Sequence, residues 1–167
     1  MTDRKEGTVS EITGRTVPIE TMQATEIEDV KQESREFPAR AEVLIEIRRM
    51  IEGIAAHTRL TKEQVEDLLT AVDEAAANAI RHGSPKEGPK SLVRINCVSD
   101  SGFLRVGVRD FGKGFAVPDT PTMPGPEATG GRGLPLMVAL ASAVEIASSP
   151  QGTEVTLTKR ASPLFSS

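Results

Sequence analysis

Three short segments limit what this chain can fold into more than any other feature. Glu74-Ala-Ala-Ala-Asn78, Asp110-Phe-Gly-Lys-Gly114 and Gly130-Gly-Arg-Gly-Leu134 follow one another in this order and at close spacing. The first sets a carboxylate and an amide four residues apart, on one face of a helix. The second is an aspartate at a strand end followed by a glycine turn. The third is a glycine cluster feeding a helix start. Together they supply a proton acceptor, a metal ligand, a carboxylate able to read an adenine amine and a phosphate cradle. That set reads as a nucleotide site without a Walker loop.

The surrounding patterns give these segments their elements. Residues 29–37 carry a weak strand pattern. Residues 39–56 predict a helix, with Val43, Leu44, Ile47, Ile51 and Ile54 at helical spacing. Thr61 caps a second helix, and Gln64 completes a capping box. That helix should run to His82 and stop at Gly83, with His82 helping to close its end and Pro85 beyond. Residues 91–99 and 102–109 form a hairpin about the Asp100-Ser-Gly102 turn. From Ala116 to Gly131 the chain carries Pro118, Pro121, Pro124 and Pro126, which forbid a helix or a central strand. With Val117 and Met123 as its only larger apolar anchors, this stretch is expected to act as a lid. A third helix at 132–142 and strands at 143–149 and 152–160 complete the chain. The predicted fold is a two-layer α/β sandwich, a mixed but mostly antiparallel sheet with helices on one face. Residues 1–28 are expected to be a flexible arm, 29–160 the folded domain and 161–167 a tail.

Composition narrows the function. A chain of 167 residues fits one domain. A net charge of -4 argues against a nucleic-acid binder, which needs clustered Lys and Arg. The lack of Trp and Tyr removes base-stacking platforms. Neither a signal peptide nor an apolar run of membrane length occurs, so a cytoplasmic location is expected. Cys97, the only cysteine, alternates with Val93 and Ile95 and reads as a core thiol. With two His and one Cys, a zinc site is not expected.

On the second helix, Val65, Leu68, Leu69, Val72, Ala76 and Ala79 form a stripe that should lie on the sheet. Asp67, Ala71, Glu74 and Asn78 fall on the opposite side, where small Ala71 and Ala75 leave room for a ligand. The Asn78 amide oxygen suits a magnesium shell otherwise filled by phosphates and water. Glu74 suits proton acceptance from an attacking hydroxyl. Taken alone, the pair also fits a solvated i, i+4 contact. Asp110 suits an exocyclic amine, with Gly112 and Gly114 letting a flat ligand approach, or else simply starts a glycine turn. Gly130, Gly131, Arg132, Gly133 and Leu134 form either a helix N-terminus that binds phosphate or a flexible linker. Asp-Phe-Gly does not indicate a conventional protein kinase, because no His-Arg-Asp loop accompanies it.

The stretch Ala71-Val-Asp-Glu-Ala-Ala-Ala-Asn-Ala-Ile-Arg-His-Gly83 resembles the N box of the GHKL, or Bergerat-fold, ATPases. Asp110 to Phe115 resembles their first glycine box and Gly130 to Leu134 their second. Gly152-Thr153 resembles the Gly-Thr that closes their adenine pocket. Within that superfamily the chain is most similar to small bacterial anti-sigma factors that are also serine-protein kinases. The resemblance covers about residues 30–160. It implies ATP and Mg2+ as cofactors, Glu74 as general base and Asn78 as magnesium ligand. It further implies that Asp110, Gly112, Gly114 and Thr153 form the adenine side, with Gly130, Gly131, Arg132, Gly133 and Leu134 around the phosphates. The implied partners are a STAS-domain anti-anti-sigma protein, phosphorylated on serine, and a sigma factor, with a homodimer as assembly. Two other readings stay open at this point. One is a non-catalytic ATP-binding regulatory module. The other is a kinase that regulates a phosphatase or another signalling protein. Arg40, Arg48 and Arg49 give the first helix a basic edge, with Arg48 the best candidate for docking an acidic partner.

Overall fold

The computed structural model describes residues 10–11, 29–114 and 133–164. The expected lid at 116–131, together with Gly130, Gly131 and Arg132, lies outside the described residues. Among the described residues six strands form one sheet: β1 (Ser10–Glu11), β2 (Lys31–Pro38), β3 (Leu92–Ser99), β4 (Phe103–Asp110), β5 (Ala143–Ser149) and β6 (Gly152–Arg160), in the order β1-β5-β6-β4-β3-β2. Every pairing is antiparallel. The helices are α1 (Leu44–Ala55), entered through a 3-10 turn at Ala41–Val43, α2 (Lys62–Asn78) and α3 (Gly133–Leu140). This is the expected α/β sandwich with a mostly antiparallel sheet.

Local signals place the elements. Thr61 Oγ1 accepts from Gln64 N at 3.1 Å and Gln64 Oε1 accepts from Thr61 N at 2.9 Å, so the capping box is formed. The Asp100 carboxylate accepts from Gly102 N and Phe103 N, closing the β3–β4 hairpin. Strict alternation in β3 buries Val93, Ile95 and Cys97. With Leu104, Val106, Val108 and Leu157 they form the apolar side of the sheet on which Ile47, Ile51, Leu68, Leu69 and Val72 of the helices pack. Burial pushes the Cys97 thiol up to about 12, the behaviour of a core thiol.

Two local expectations change. The α-helical part of the second helix ends at Asn78, and a π-helical turn, Ala79–Gly83, carries the chain on. Its closure is the bond from Ser84 N to Ala79 O at 2.6 Å, while Ser84 Oγ donates to Leu92 O. His82 is exposed and takes no part. The far side of α2 is also not open along its length. Ala71 and Ala75 are as buried as the sheet-facing stripe, because α3 packs along this side. Gly133 lies beside Glu74 and Asn78, whereas the carbonyl of Leu140 shares the Lys159 ammonium with Asp67. The start of α3 thus meets the end of α2 and the reverse, so the two helices run antiparallel.

Candidate active site

The site is assembled around two places on one continuous helical run. At its end, Gly83 abuts Asp110, the last residue of β4. Asp110 is buried at 6% exposure, and its Oδ1 accepts from Gly112 N at 3.0 Å and Thr153 N at 3.3 Å. Those two donors fix the carboxylate, and Oδ2 carries no hydrogen bond from any described residue. A carboxylate held in place with one oxygen left without a protein donor suits a ligand donor. Thr153 is held in turn through its hydroxyl, 2.9 Å from Ser148 Oγ. On the other side of the sheet, the Arg94 and Arg109 guanidinium groups both lie over the Phe111 ring, 5.0 and 5.1 Å from its centroid. That clasp anchors the chain directly after Asp110.

Glycines surround this carboxylate for reasons of contact. A Cβ on Gly83 would run into Asp110 Oδ2, one on Gly112 into the Gly83 carbonyl, and one on Gly152 into the Asp110 carbonyl. Gly83 and Gly112 do not have positive φ; closeness alone demands glycine there. The expectation for Gly112 and Gly114 was room for a ligand. Gly112 instead closes on Gly83, and Gly114, at φ 76°, closes on the Ser149 carbonyl. Gly83 belongs to this end of the site, although its place at a helix stop suggested only a cap.

Further back along α2, Glu74 and Asn78 meet Gly133. A Cβ at Gly133 would collide with Glu74 Oε1 and lie 2.9 Å from Asn78 Nδ2. Neither side chain makes a hydrogen bond or ion pair with a described residue, and both are half-buried. A carboxylate, a primary amide and a helix start therefore converge with their polar atoms uncommitted. From Gly83 back to Glu74 is nine residues, about 13 Å at a helical rise. That separation suits an extended nucleoside triphosphate, base at Asp110 and phosphates at Gly133. Among the described residues no group of three or more His, Cys, Asp and Glu could hold a metal on its own. A single amide beside a carboxylate fits an ion held chiefly by phosphate oxygens.

Residues 37–159 match the model of the histidine kinase-like ATPase domain. The chain belongs to that family. Over 133 residues it is 32% identical to the serine-protein kinase RsbW of Bacillus pumilus, covering 74% of this chain and 82% of that one. It is 32% identical over 108 residues to an anti-sigma F factor of Oceanobacillus iheyensis, covering 61% of this chain and 73% of that protein. In fold it is similar to the RsbU and RsbW domains of a Mycobacterium tuberculosis protein. That match has a TM-score of 0.55 and 19% identity, and covers 81% of this chain and 35% of the other. No described helix is long and apolar enough to cross a membrane.

Within this ATPase domain the structure brings together Glu74, Asn78, Gly133 and Leu134 at one place, and Asp110, Gly112 and Thr153 at the other. The basic edge of α1 is smaller than expected. Arg48 reaches Asp73 at 2.9 Å, Glu66 at 2.6 Å and Glu52 at 3.6 Å, so its charge is spent tying α1 to α2. Desolvation raises the Asp73 carboxyl above its ordinary value although Arg48 beside it pulls the other way. Arg40 and Arg49 remain exposed.

Proposed function

We propose that this chain is an ATP-dependent serine-protein kinase and anti-sigma factor, working by exchange between two protein partners. One observation carries the reading: the start of α3 lies against both Glu74 and Asn78, at helical reach from a fixed, half-satisfied Asp110 carboxylate. Kinship to RsbW and to an anti-sigma F factor supports it.

Adenine docks at Asp110 Oδ2, which accepts from its amine, with Thr153, Gly112 and Gly114 shaping that end. Gly133 and Leu134 face the phosphates, joined by Gly130, Gly131 and Arg132. Asn78 supplies its amide oxygen to Mg2+, which neutralises phosphate charge. Glu74 accepts the serine proton as the serine oxygen bonds to the γ-phosphorus. The bond from that phosphorus to the bridging oxygen breaks, and ADP leaves with the electron pair. The serine belongs to a STAS-domain anti-anti-sigma protein, and the alternative partner is a sigma factor. We place the protein in the cytoplasm as a homodimer. Phosphorylation adds roughly -1.5 to -2 charge beside Glu74 and the ADP phosphates, which favours release of the product.

The test is Glu74→Gln with ATP, Mg2+ and a STAS protein. Nucleotide binding by calorimetry should persist, while transfer falls about 10²–10⁴-fold, the usual worth of a general base. Wild-type protein that is folded but binds no ATP would end the reading. Unchanged transfer in Glu74→Gln would remove that residue from the chemistry.

A further inference from the structure

Lys159 lies in β6, on the inward side of the sheet, and belongs to none of the motifs of the site. Its side chain is 13% exposed. The ammonium donates to Leu140 O at 2.6 Å, the last carbonyl of α3, and to Asp67 Oδ2 at 3.1 Å on α2. Two further bonds join the end of α3 to the same strand: Ser142 N to Thr158 O at 2.8 Å and Arg160 N to Ser142 Oγ at 3.0 Å. A cation at a helix C-terminus satisfies an orphan carbonyl and complements the helix dipole.

The other end of α3 meets Glu74 and Asn78. Asp67 and Glu74 are seven residues apart on α2, two turns and so on one face, about 10 Å along the axis. The eight residues of α3 span about 12 Å. The short helix is therefore tied to α2 by hydrogen bonds at its Leu140 end and rests against Glu74 and Asn78 at its start, so a shift at one end is delivered to the other. Within α3 only Met137 is fully buried, with Leu134, Val138 and Leu140 partly buried against the core.

We propose that Lys159 is a positioning residue, which sets the height of Gly133 over Glu74 and Asn78 by pinning the far end of α3 to α2. It touches no nucleotide. The inference rests on the assignment of phosphates to Gly133, and it separates the two ends of the site. Losing Lys159 disturbs phosphate binding and leaves the adenine end at Asp110 as it is.

The experiment compares Lys159→Met, Lys159→Arg and wild type, full-length, in two measurements. Hydrogen exchange without nucleotide reads how firmly α3 is held, through the amides bonded along it. Calorimetry with ATP and with adenosine reads the two ends of the site. In Lys159→Met, exchange at residues 137–141, the amides bonded within α3, should accelerate while that of α2 is kept. Affinity for ATP should fall about 10-fold relative to adenosine, within the reach of mutations remote from a ligand. Phosphotransfer should fall by up to about 10²-fold, the effect of a displacement near 1 Å. Lys159→Arg, which still offers donors to both acceptors, should recover most of each loss. Unchanged exchange at 137–141, or equal losses for ATP and adenosine, would overturn the proposal. Should Lys159→Met not fold, Asp67→Asn removes only the α2 half of the pin and is judged by the same readings. Wild-type protein that binds neither ligand defeats the nucleotide assignment instead, and the exchange measurement still decides whether Lys159 holds α3.

Discussion

Gly83→Ala is the sharpest perturbation of the adenine end, because it adds one carbon at the point of closest approach. The new Cβ would meet Asp110 Oδ2 and stand 3.0 Å from Asp110 Cβ. Backbone on both sides is fixed: Gly112 is pressed on the Gly83 carbonyl, and Ser84 is bonded to Ala79 and Leu92. The carboxylate is the part that moves, and rotating it strains or breaks its bonds from Gly112 N and Thr153 N. An off-rotamer side chain costs about 0.5–1.5 kcal/mol. A hydrogen bond to a charged group is worth about 1.5–3 kcal/mol, and a mis-aimed Oδ2 forfeits the one it would make to adenine. That loss corresponds to about 10- to 10²-fold weaker ATP binding. Calorimetry with ATP and GTP, with a thermal melt to confirm folding, reads it out, and the preference for ATP should shrink with the affinity. Gly53→Ala is the control: an added Cβ there meets nothing within 4 Å, in the last turn of α1. It should raise stability by about 0.5–1 kcal/mol and leave binding alone. A folded Gly83→Ala protein with wild-type ATP affinity and selectivity would refute the close-approach argument.

The phosphate end has its own version. Gly133→Ala drives a methyl into Glu74 and Asn78, so phosphotransfer should drop about 10-fold or more while adenosine affinity holds; equal activity would mean that α3 shifts freely. For Asp73 the sign follows from its raised pKa. Its proton is bound more tightly in the folded state, so the stabilisation it gives is fully present below the ordinary 3.8 and is lost as pH rises through the higher folded value. Asp73→Asn should therefore remove part of the fall in stability that begins above the ordinary 3.8, seen in urea midpoints measured as the pH is raised from below that value. Cys97, with its pKa near 12 and 1% exposure, should resist a thiol reagent until the protein is unfolded; rapid labelling of native protein would contradict its core position.

Much of this architecture was legible in one dimension. The capping box at Thr61, the period-2 run of β3 and the Asp100 turn are local devices, and each stands where the sequence predicts it. Glu74 and Asn78 on one helix face, and Asp110 at a strand end, follow from periodicity alone. Periodicity cannot report which elements meet. Gly83 looked like a helix stop because its reason lies 27 residues away, in the carboxylate of Asp110. Ala71 and Ala75 looked like room for a ligand, yet α3 occupies most of that side and leaves only the Glu74–Asn78 end. Arg48 read as a free basic edge until its neighbours on α2 were in place. Lys159 had only its strand alternation to mark it as inward-facing, and its partners come from α2 and α3. Residue types and local spacing thus determine the chemistry this chain carries and the elements that bear it. Close approach and charge pairing are sums over residues distant in sequence. The tertiary structure alone decided which glycines are indispensable, which cations are spent and where the start of α3 rests.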